Sequence, residues 1–92
     1  MIHSVAFIGL GAMGYRMAAH LPKHFETVFV WNRNFSKAEQ HAAEYGTLAV
    51  SLQDAVQADI IFSCLPTSQD VEALISGLEL KAGSIWIDCT SG

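Results

Sequence analysis

At 92 residues, 51% of them hydrophobic and only 15% charged, the chain has room for one small domain with a real core, and this composition excludes disorder and a second domain. Its net charge of −4, with five scattered Lys and Arg residues, argues against a nucleic-acid partner. No apolar run reaches the roughly 18 residues of a membrane span, and the N-terminus lacks the basic region of a secretory signal, so we expect a cytoplasmic protein with no membrane partner.

Apolar runs alternate along the chain with stretches of helical period, which predicts an α/β domain built on a doubly wound parallel sheet. The predicted strands lie at residues 4–8, 27–31, 48–50, 60–64 and 84–88. We expect them in the order 3-2-1-4-5 with right-handed crossovers.

Helices are predicted between these strands. The first follows the glycines of residues 9–14, and Met13, Met17 and Leu21 at helical spacing predict its core-facing side, before Pro22 disturbs the last turn. The second opens with a capping box at Ser36 and stops at Gly46. Ser51 caps a brief third helix, with Asp54 at the matching position. A fourth is predicted along residues 71–78, on the sheet face opposite to the first.

The first strand runs directly into a G-x-G-x-x-G motif at the mouth of the first helix. In this context Gly9 makes a tight turn, Gly11 lets the backbone approach a pyrophosphate, and Gly14 lets the helix pack close to the strand. The phosphates would lie against the free N–H groups at the helix N-terminus. The motif therefore predicts a Rossmann-type cofactor cradle made of Gly9, Leu10, Gly11, Ala12, Met13 and Gly14.

The end of the second strand predicts which dinucleotide binds. An NAD enzyme usually has Asp or Glu there to bond the ribose 2′-hydroxyl, whereas this chain has Asn32, Arg33 and Asn34. The Arg33 guanidinium can grip a 2′-phosphate, Asn32 can donate to it, Asn34 can cap the next helix and donate as well, and Lys37 adds a second positive charge. We therefore expect NADP(H) to be preferred over NAD(H).

The segments FIGLGAMGYRMAAHL, WNRN, CLPTSQDVE and DCTSG together resemble the β-hydroxyacid dehydrogenase family, which includes 3-hydroxyisobutyrate dehydrogenases and glyoxylate or succinic semialdehyde reductases. The resemblance implies hydride transfer between NADP(H) and a small β-hydroxy acid, aldehyde or keto acid, in a parent enzyme that is a homo-oligomer. It also implies cofactor contacts by Leu65, Pro66, Asp70 and Ser91, although Asp70 replaces the Asn often found there.

The same resemblance implies that the catalytic lysine of the family would follow Gly92, so no residue of this chain is assigned a catalytic role. We expect residues 1–92 to be an incomplete dinucleotide-binding domain, truncated after about five strands and inactive without a catalytic C-terminal domain. Two alternatives stay open at this point: a non-catalytic nucleotide-binding module, and the 6-phosphogluconate dehydrogenase branch.

The remaining reactive side chains form no pattern of their own. His20 and His24 are four residues apart, but Pro22 lies between them and no third ligand accompanies them, so no metal site is predicted. Cys64 and Cys89 have no metal-ligand spacing and are expected to be small buried hydrophobes. His41 has no partner visible in the sequence.

Overall fold

The computed structural model of the protein describes residues 3–64 and 83–88. Its centre is a parallel sheet of five strands in the order β3-β2-β1-β4-β5, which confirms the predicted topology. The strands are β1 (Ser4–Ile8), β2 (Thr27–Trp31), β3 (Leu48–Ala49), β4 (Ile60–Ser63) and β5 (Ile85–Asp88). The last three are each one residue shorter than predicted.

Among the described residues, three α-helices connect the strands: α1 (Ala12–His20), α2 (Phe35–Tyr45) and α3 (Leu52–Ala55). A single 3-10 turn at Leu21–Lys23 follows α1 and holds Pro22 near its start, where a missing N–H costs nothing. The helix expected at 71–78, and the face on which it lies, fall outside the described residues.

The ends of the helices test the predicted capping signals. Gly46 ends α2 in the left-handed region, at φ 77°, and the Ser51 hydroxyl accepts from the Asp54 N–H at 3.2 Å at the start of α3, so both signals are confirmed. The capping box at Ser36 is wrong, because the N-cap of α2 is Asn34, two residues earlier, and the helix begins at Phe35.

Both faces of the central strand β1 are buried, as expected where helices cover a parallel sheet on each side. Successive residues of β1 serve opposite faces. Val5 and Phe7 pack with α1, α2 and β2 residues such as Ala18 and Ala38, whereas Ala6 and Ile8 pack with residues of and around α3 and with Ile61. In the part of the chain that is described, no helix is long and apolar enough to cross a bilayer.

The side of α1 that faces the sheet differs from the prediction. Met13 and Met17 are 67% and 36% exposed, so their assignment to the core is wrong. Gly14 and Ala18 are buried instead, one position further along the helix. Because a Cβ on Gly14 would lie 2.3 Å from the Gly9 carbonyl oxygen, α1 approaches β1 too closely for long side chains to fit between them.

Candidate dinucleotide site

The candidate site lies at the carboxyl edge of the sheet, where β1 and β2 end side by side. Ile8 pairs with Trp31, so the glycine loop that follows β1 and the turn that follows β2 leave the sheet together. The Gly9 N–H donates to the Trp31 carbonyl at 2.9 Å. Gly9 has φ 97°, a left-handed conformation that side chains beyond glycine rarely adopt. The tight turn assigned to this residue is therefore present.

Gly14 and Gly11 lack side chains for different reasons. At Gly14 there is no room for a side chain, since a Cβ would lie 2.3 Å from the Gly9 carbonyl oxygen and 3.0 Å from Cε1 of the Phe7 ring. Gly11 has an ordinary φ of −67°, and a Cβ added to it would meet nothing within 4 Å. The space in front of Gly11 is thus open, and a side chain there would enter it. This open cradle fits a pyrophosphate group.

The N-terminus of α1 opens onto the same space. Gly11 is its N-cap and supplies no side-chain hydrogen bond, while its carbonyl accepts from the Tyr15 N–H at 2.8 Å. The first-turn amides of a helix have no intrahelical acceptor and carry the positive end of the helix dipole. No acidic residue lies in this first turn, so the cradle is suited to an anion.

Asn32 connects the glycine loop to the turn after β2. Its Oδ1 accepts from the Leu10 N–H at 2.8 Å, and its Nδ2 donates to the Asn34 carbonyl at 3.0 Å. That carbonyl also accepts from the Lys37 N–H at 3.1 Å, as expected of a helix N-cap. The side chain that the sequence suggested as a phosphate donor is therefore engaged within the protein at both of its polar atoms.

The other residues of the turn are exposed to solvent. The Asn34 side chain does not cap α2; its Oδ1 accepts from the Ser36 hydroxyl at 2.7 Å. Arg33 and Lys37 are both exposed, and the first turn of α2 contains no acidic residue. The structure thus brings two cations to the start of α2, beside the cradle side of the sheet.

His41 is a structural residue of this region that the sequence did not reveal. It is fully buried, with Nδ1 2.8 Å from the Thr47 hydroxyl and Nε2 3.0 Å from the Tyr15 carbonyl. It therefore joins α2 to the first turns of α1. Burial lowers the pKa of His41 despite the opposing effects of its bond to Tyr15 and of the Glu44 charge. Its helical spacing from buried Ala38 was the available signal.

Tyr15 makes further contacts with this histidine and with its surroundings. Its ring lies edge-on to His41, with centroids 4.5 Å apart, and its hydroxyl donates to Glu44 at 2.8 Å. Burial, together with the hydrogen bond and charge of Glu44, raises the pKa of Tyr15 to about 12. Tyr15 is therefore a neutral packing residue at physiological pH.

Four predicted cofactor contacts, at Leu65, Pro66, Asp70 and Ser91, lie outside the described residues, as does Cys89. Cys64 is half-buried with a free thiol, and it packs against the core on the α1 side of the sheet. Across residues 3–64 and 83–88, no three His, Cys, Asp or Glu side chains come together in a group that could hold a metal ion.

This geometry agrees with a comparison against known protein families. The model of the NAD-binding domain of 6-phosphogluconate dehydrogenase matches residues 4–92. The chain belongs to this family. The chain is accordingly a domain of the type that binds a pyridine dinucleotide.

Individual relatives extend the comparison. The chain is 38% identical to an NAD-dependent L-serine dehydrogenase of Pseudomonas aeruginosa, covering 95% of this chain and 31% of that protein. It is 34% identical to an NADPH-dependent reductive aminase of Aspergillus oryzae, and the match covers 100% of this chain and 32% of that protein. A solved structure of Mycobacterium tuberculosis 3-hydroxyisobutyrate dehydrogenase with L-serine superposes with a TM-score of 0.85 and 29% identity. The superposition covers 98% of this chain and 32% of that protein. The chain thus spans about a third of the length of these proteins.

Proposed function

We propose that the chain is the cofactor-binding domain of an NADP(H)-dependent oxidoreductase that acts on a small β-hydroxy acid or the corresponding aldehyde or keto acid. The observation that carries the cofactor part is the turn after β2, where Arg33 and Lys37 are exposed and the first turn of α2 has no carboxylate. A 2′-phosphate finds two cations there, and the first turn of α2 adds no negative charge.

The relatives support the class of reaction. They include a dehydrogenase of a small hydroxy amino acid, and a 3-hydroxyisobutyrate dehydrogenase superposes on the chain. One relative is NAD-dependent and another NADPH-dependent, so the cofactor preference rests on the residues of this turn. The dinucleotide would supply or accept the hydride. The described residues bind and orient it, with its pyrophosphate at Gly11 and its 2′-phosphate at Arg33, Asn34 and Lys37.

The substrate-facing part of the site includes residues outside the described ones. On the family resemblance, Leu65, Pro66, Asp70 and Ser91 contact the cofactor, with the first two near its nicotinamide end. None of these four residues is assigned a proton-transfer role. A homo-oligomeric parent enzyme is part of the same proposal.

The test is a pair of dissociation constants, for NADPH and NADH, measured on the wild-type protein and on Arg33→Ala. A charge-assisted hydrogen bond contributes about 1.5–3 kcal/mol, so we expect wild type to prefer NADPH by about tenfold or more. Arg33→Ala should reduce affinity for NADPH and leave that for NADH nearly unchanged. Raising the salt concentration should reduce the preference.

Lys23→Ala is the matched control, because it removes one exposed positive charge from the 3-10 turn at the other end of α1. It should leave both dissociation constants unchanged. If wild type binds the two cofactors equally, or if Arg33→Ala weakens both alike, the assignment of the 2′-phosphate to this turn is wrong. Turnover of a panel of β-hydroxy acids with NADP⁺ by the full-length protein tests the substrate class.

A further inference from the structure

We propose that Asn32 is a positioning residue that holds the two halves of the dinucleotide site at a fixed spacing. The pyrophosphate half is the glycine loop after β1, and the adenosine half is the turn from Arg33 to Lys37. This inference rests on the proposed function, and it assigns Asn32 a role other than direct contact with the 2′-phosphate.

The first contact fixes the glycine loop. Leu10 is fully buried, and its N–H donates to Asn32 Oδ1 at 2.8 Å. A buried N–H without an acceptor is costly, so the loop keeps this amide turned towards β2. With the Gly9 N–H bonded to the Trp31 carbonyl, two consecutive amides are fixed by the end of β2. The loop thereby presents Gly11 and the start of α1 to the open space.

The second contact fixes the start of α2. Asn32 Nδ2 donates to the Asn34 carbonyl at 3.0 Å, and the same oxygen accepts the N–H of Lys37 from the first turn of the helix. One carboxamide thus links the loop that leads to α1 with the N-cap of α2. A dinucleotide must reach both places at once, so a change in their spacing weakens binding of the whole molecule.

The chemistry of the two bonds explains why an amide suits this position. The side chain at this position must accept a hydrogen bond from the Leu10 N–H and donate one to the Asn34 carbonyl. The carboxamide of Asn does both. A carboxylate would keep the acceptor but place a negative oxygen against the Asn34 carbonyl. Alanine would remove both contacts.

The experiment compares Asn32→Ala with wild type in three measurements: amide hydrogen exchange, thermal unfolding, and dissociation constants for NADPH and NADH. We expect the Leu10 amide to lose at least about tenfold in protection, while amides in the middle of β1 keep theirs. Affinity for NADPH and NADH should fall by the same factor, about tenfold. Ser51→Ala is the matched control, because it likewise removes a side-chain bond to a backbone N–H, at the start of α3 and outside both halves of the site; it should leave both dissociation constants unchanged.

Three outcomes would overturn the inference. Loss of NADPH affinity alone would mean that Asn32 contacts the 2′-phosphate directly. Lower thermal stability with unchanged dissociation constants would leave Asn32 a purely structural role. Failure of the wild-type protein to bind either dinucleotide would overturn the proposed function and this inference together, which separates that case from the other two.

A second variant covers the case in which Asn32→Ala does not fold. Asn32→Asp can still accept from Leu10 and lacks the donor to Asn34. Adenosine 2′-monophosphate has no 5′-phosphate and occupies the adenosine half alone, so positioning predicts that Asn32→Asp weakens NADPH by a larger factor than it weakens this probe. Equal factors for the two ligands would overturn the inference.

Discussion

Gly14→Ala tests whether close packing of α1 on the glycine loop stabilises the fold. The new Cβ would lie 2.3 Å from the Gly9 carbonyl oxygen and 3.0 Å from Cε1 of Phe7. The first of these atoms is backbone, so no change of rotamer relieves the contact. Either α1 must move away from β1 by about 1 Å, or the Gly9 turn must distort.

The expected cost follows from two opposing effects. Overpacking in a dense interior costs about 1–3 kcal/mol, while alanine in place of glycine within a helix is favourable by up to about 1 kcal/mol. Because the clash involves backbone, we expect the upper part of the range and a net loss of about 1–2 kcal/mol in the free energy of unfolding. In a domain of this size that corresponds to a fall in Tm of roughly 4–16 °C.

Chemical denaturation followed by circular dichroism measures this loss, and Gly11→Ala is the matched control. The same methyl group at Gly11 meets nothing within 4 Å, and φ there is ordinary, so only the poorer N-cap preference of alanine should appear, at less than about 1 kcal/mol. The packing argument is refuted if Gly14→Ala is as stable as wild type, or if Gly11→Ala loses as much stability as Gly14→Ala.

Two further predictions concern the cradle and the buried histidine. Gly11→Val should reduce dinucleotide affinity at least about tenfold, since the valine side chain fills the open space, and should lower the free energy of unfolding by no more than about 1 kcal/mol. A loss of stability with unchanged affinity of the folded fraction would contradict this prediction. Burial lowers the pKa of His41 in the folded protein. Stability should therefore be full above the unfolded pKa of about 6.5 and fall below it, by at most about 1.4 kcal/mol per pH unit, down to the folded pKa. His41→Gln should remove this dependence and exposed His20→Gln should keep it; identical pH profiles for wild type and His41→Gln would disprove the assignment.

The topology could be predicted from the sequence because its signals are local. The strand runs, the G-x-G-x-x-G motif, and the turn and capping residues Gly46 and Ser51 each depend on neighbours within a few positions. The parallel order then follows from general rules of connection handedness. The observed ends of the short strands differ from the predicted ends by one residue, as expected because hydrogen-bond pairing rather than composition determines where a strand ends.

The orientation of α1 could not be predicted in the same way. Met13 and Met17 show helical spacing, but so do Gly14 and Ala18, and hydrophobicity favours the methionines for the core. What decides is the distance between α1 and β1, which the Gly9 turn sets and which only small residues allow. The predicted role of Gly14 in close helix packing already contained this conclusion, since a helix that needs glycine at its contact has no room there for methionine.

In the candidate site, too, local features could be predicted from the sequence and long-range contacts could not. The identities of Gly9, Gly11 and Gly14 follow from the motif, and the structure gives each the expected environment. The partners of Asn32 and His41 do not follow, because each bond joins residues distant in sequence: Asn32 reaches Leu10 across 22 positions and His41 reaches Tyr15 across 26. A polar residue at a strand end has several possible partners, and tertiary contacts select one.

These long-range bonds bear on how the site recognises its ligand. The Gly9 N–H is bonded to the end of β2, Asn32 links the Leu10 amide to the N-cap of α2, and His41 links α2 to the Tyr15 carbonyl. The loop and the first turns of α1 are thus held by contacts with two other elements of the chain itself. A pre-formed cradle loses little conformational entropy when it binds. Its affinity should therefore depend mainly on what occupies the open space at Gly11 and on the cations of the turn at Arg33 and Lys37.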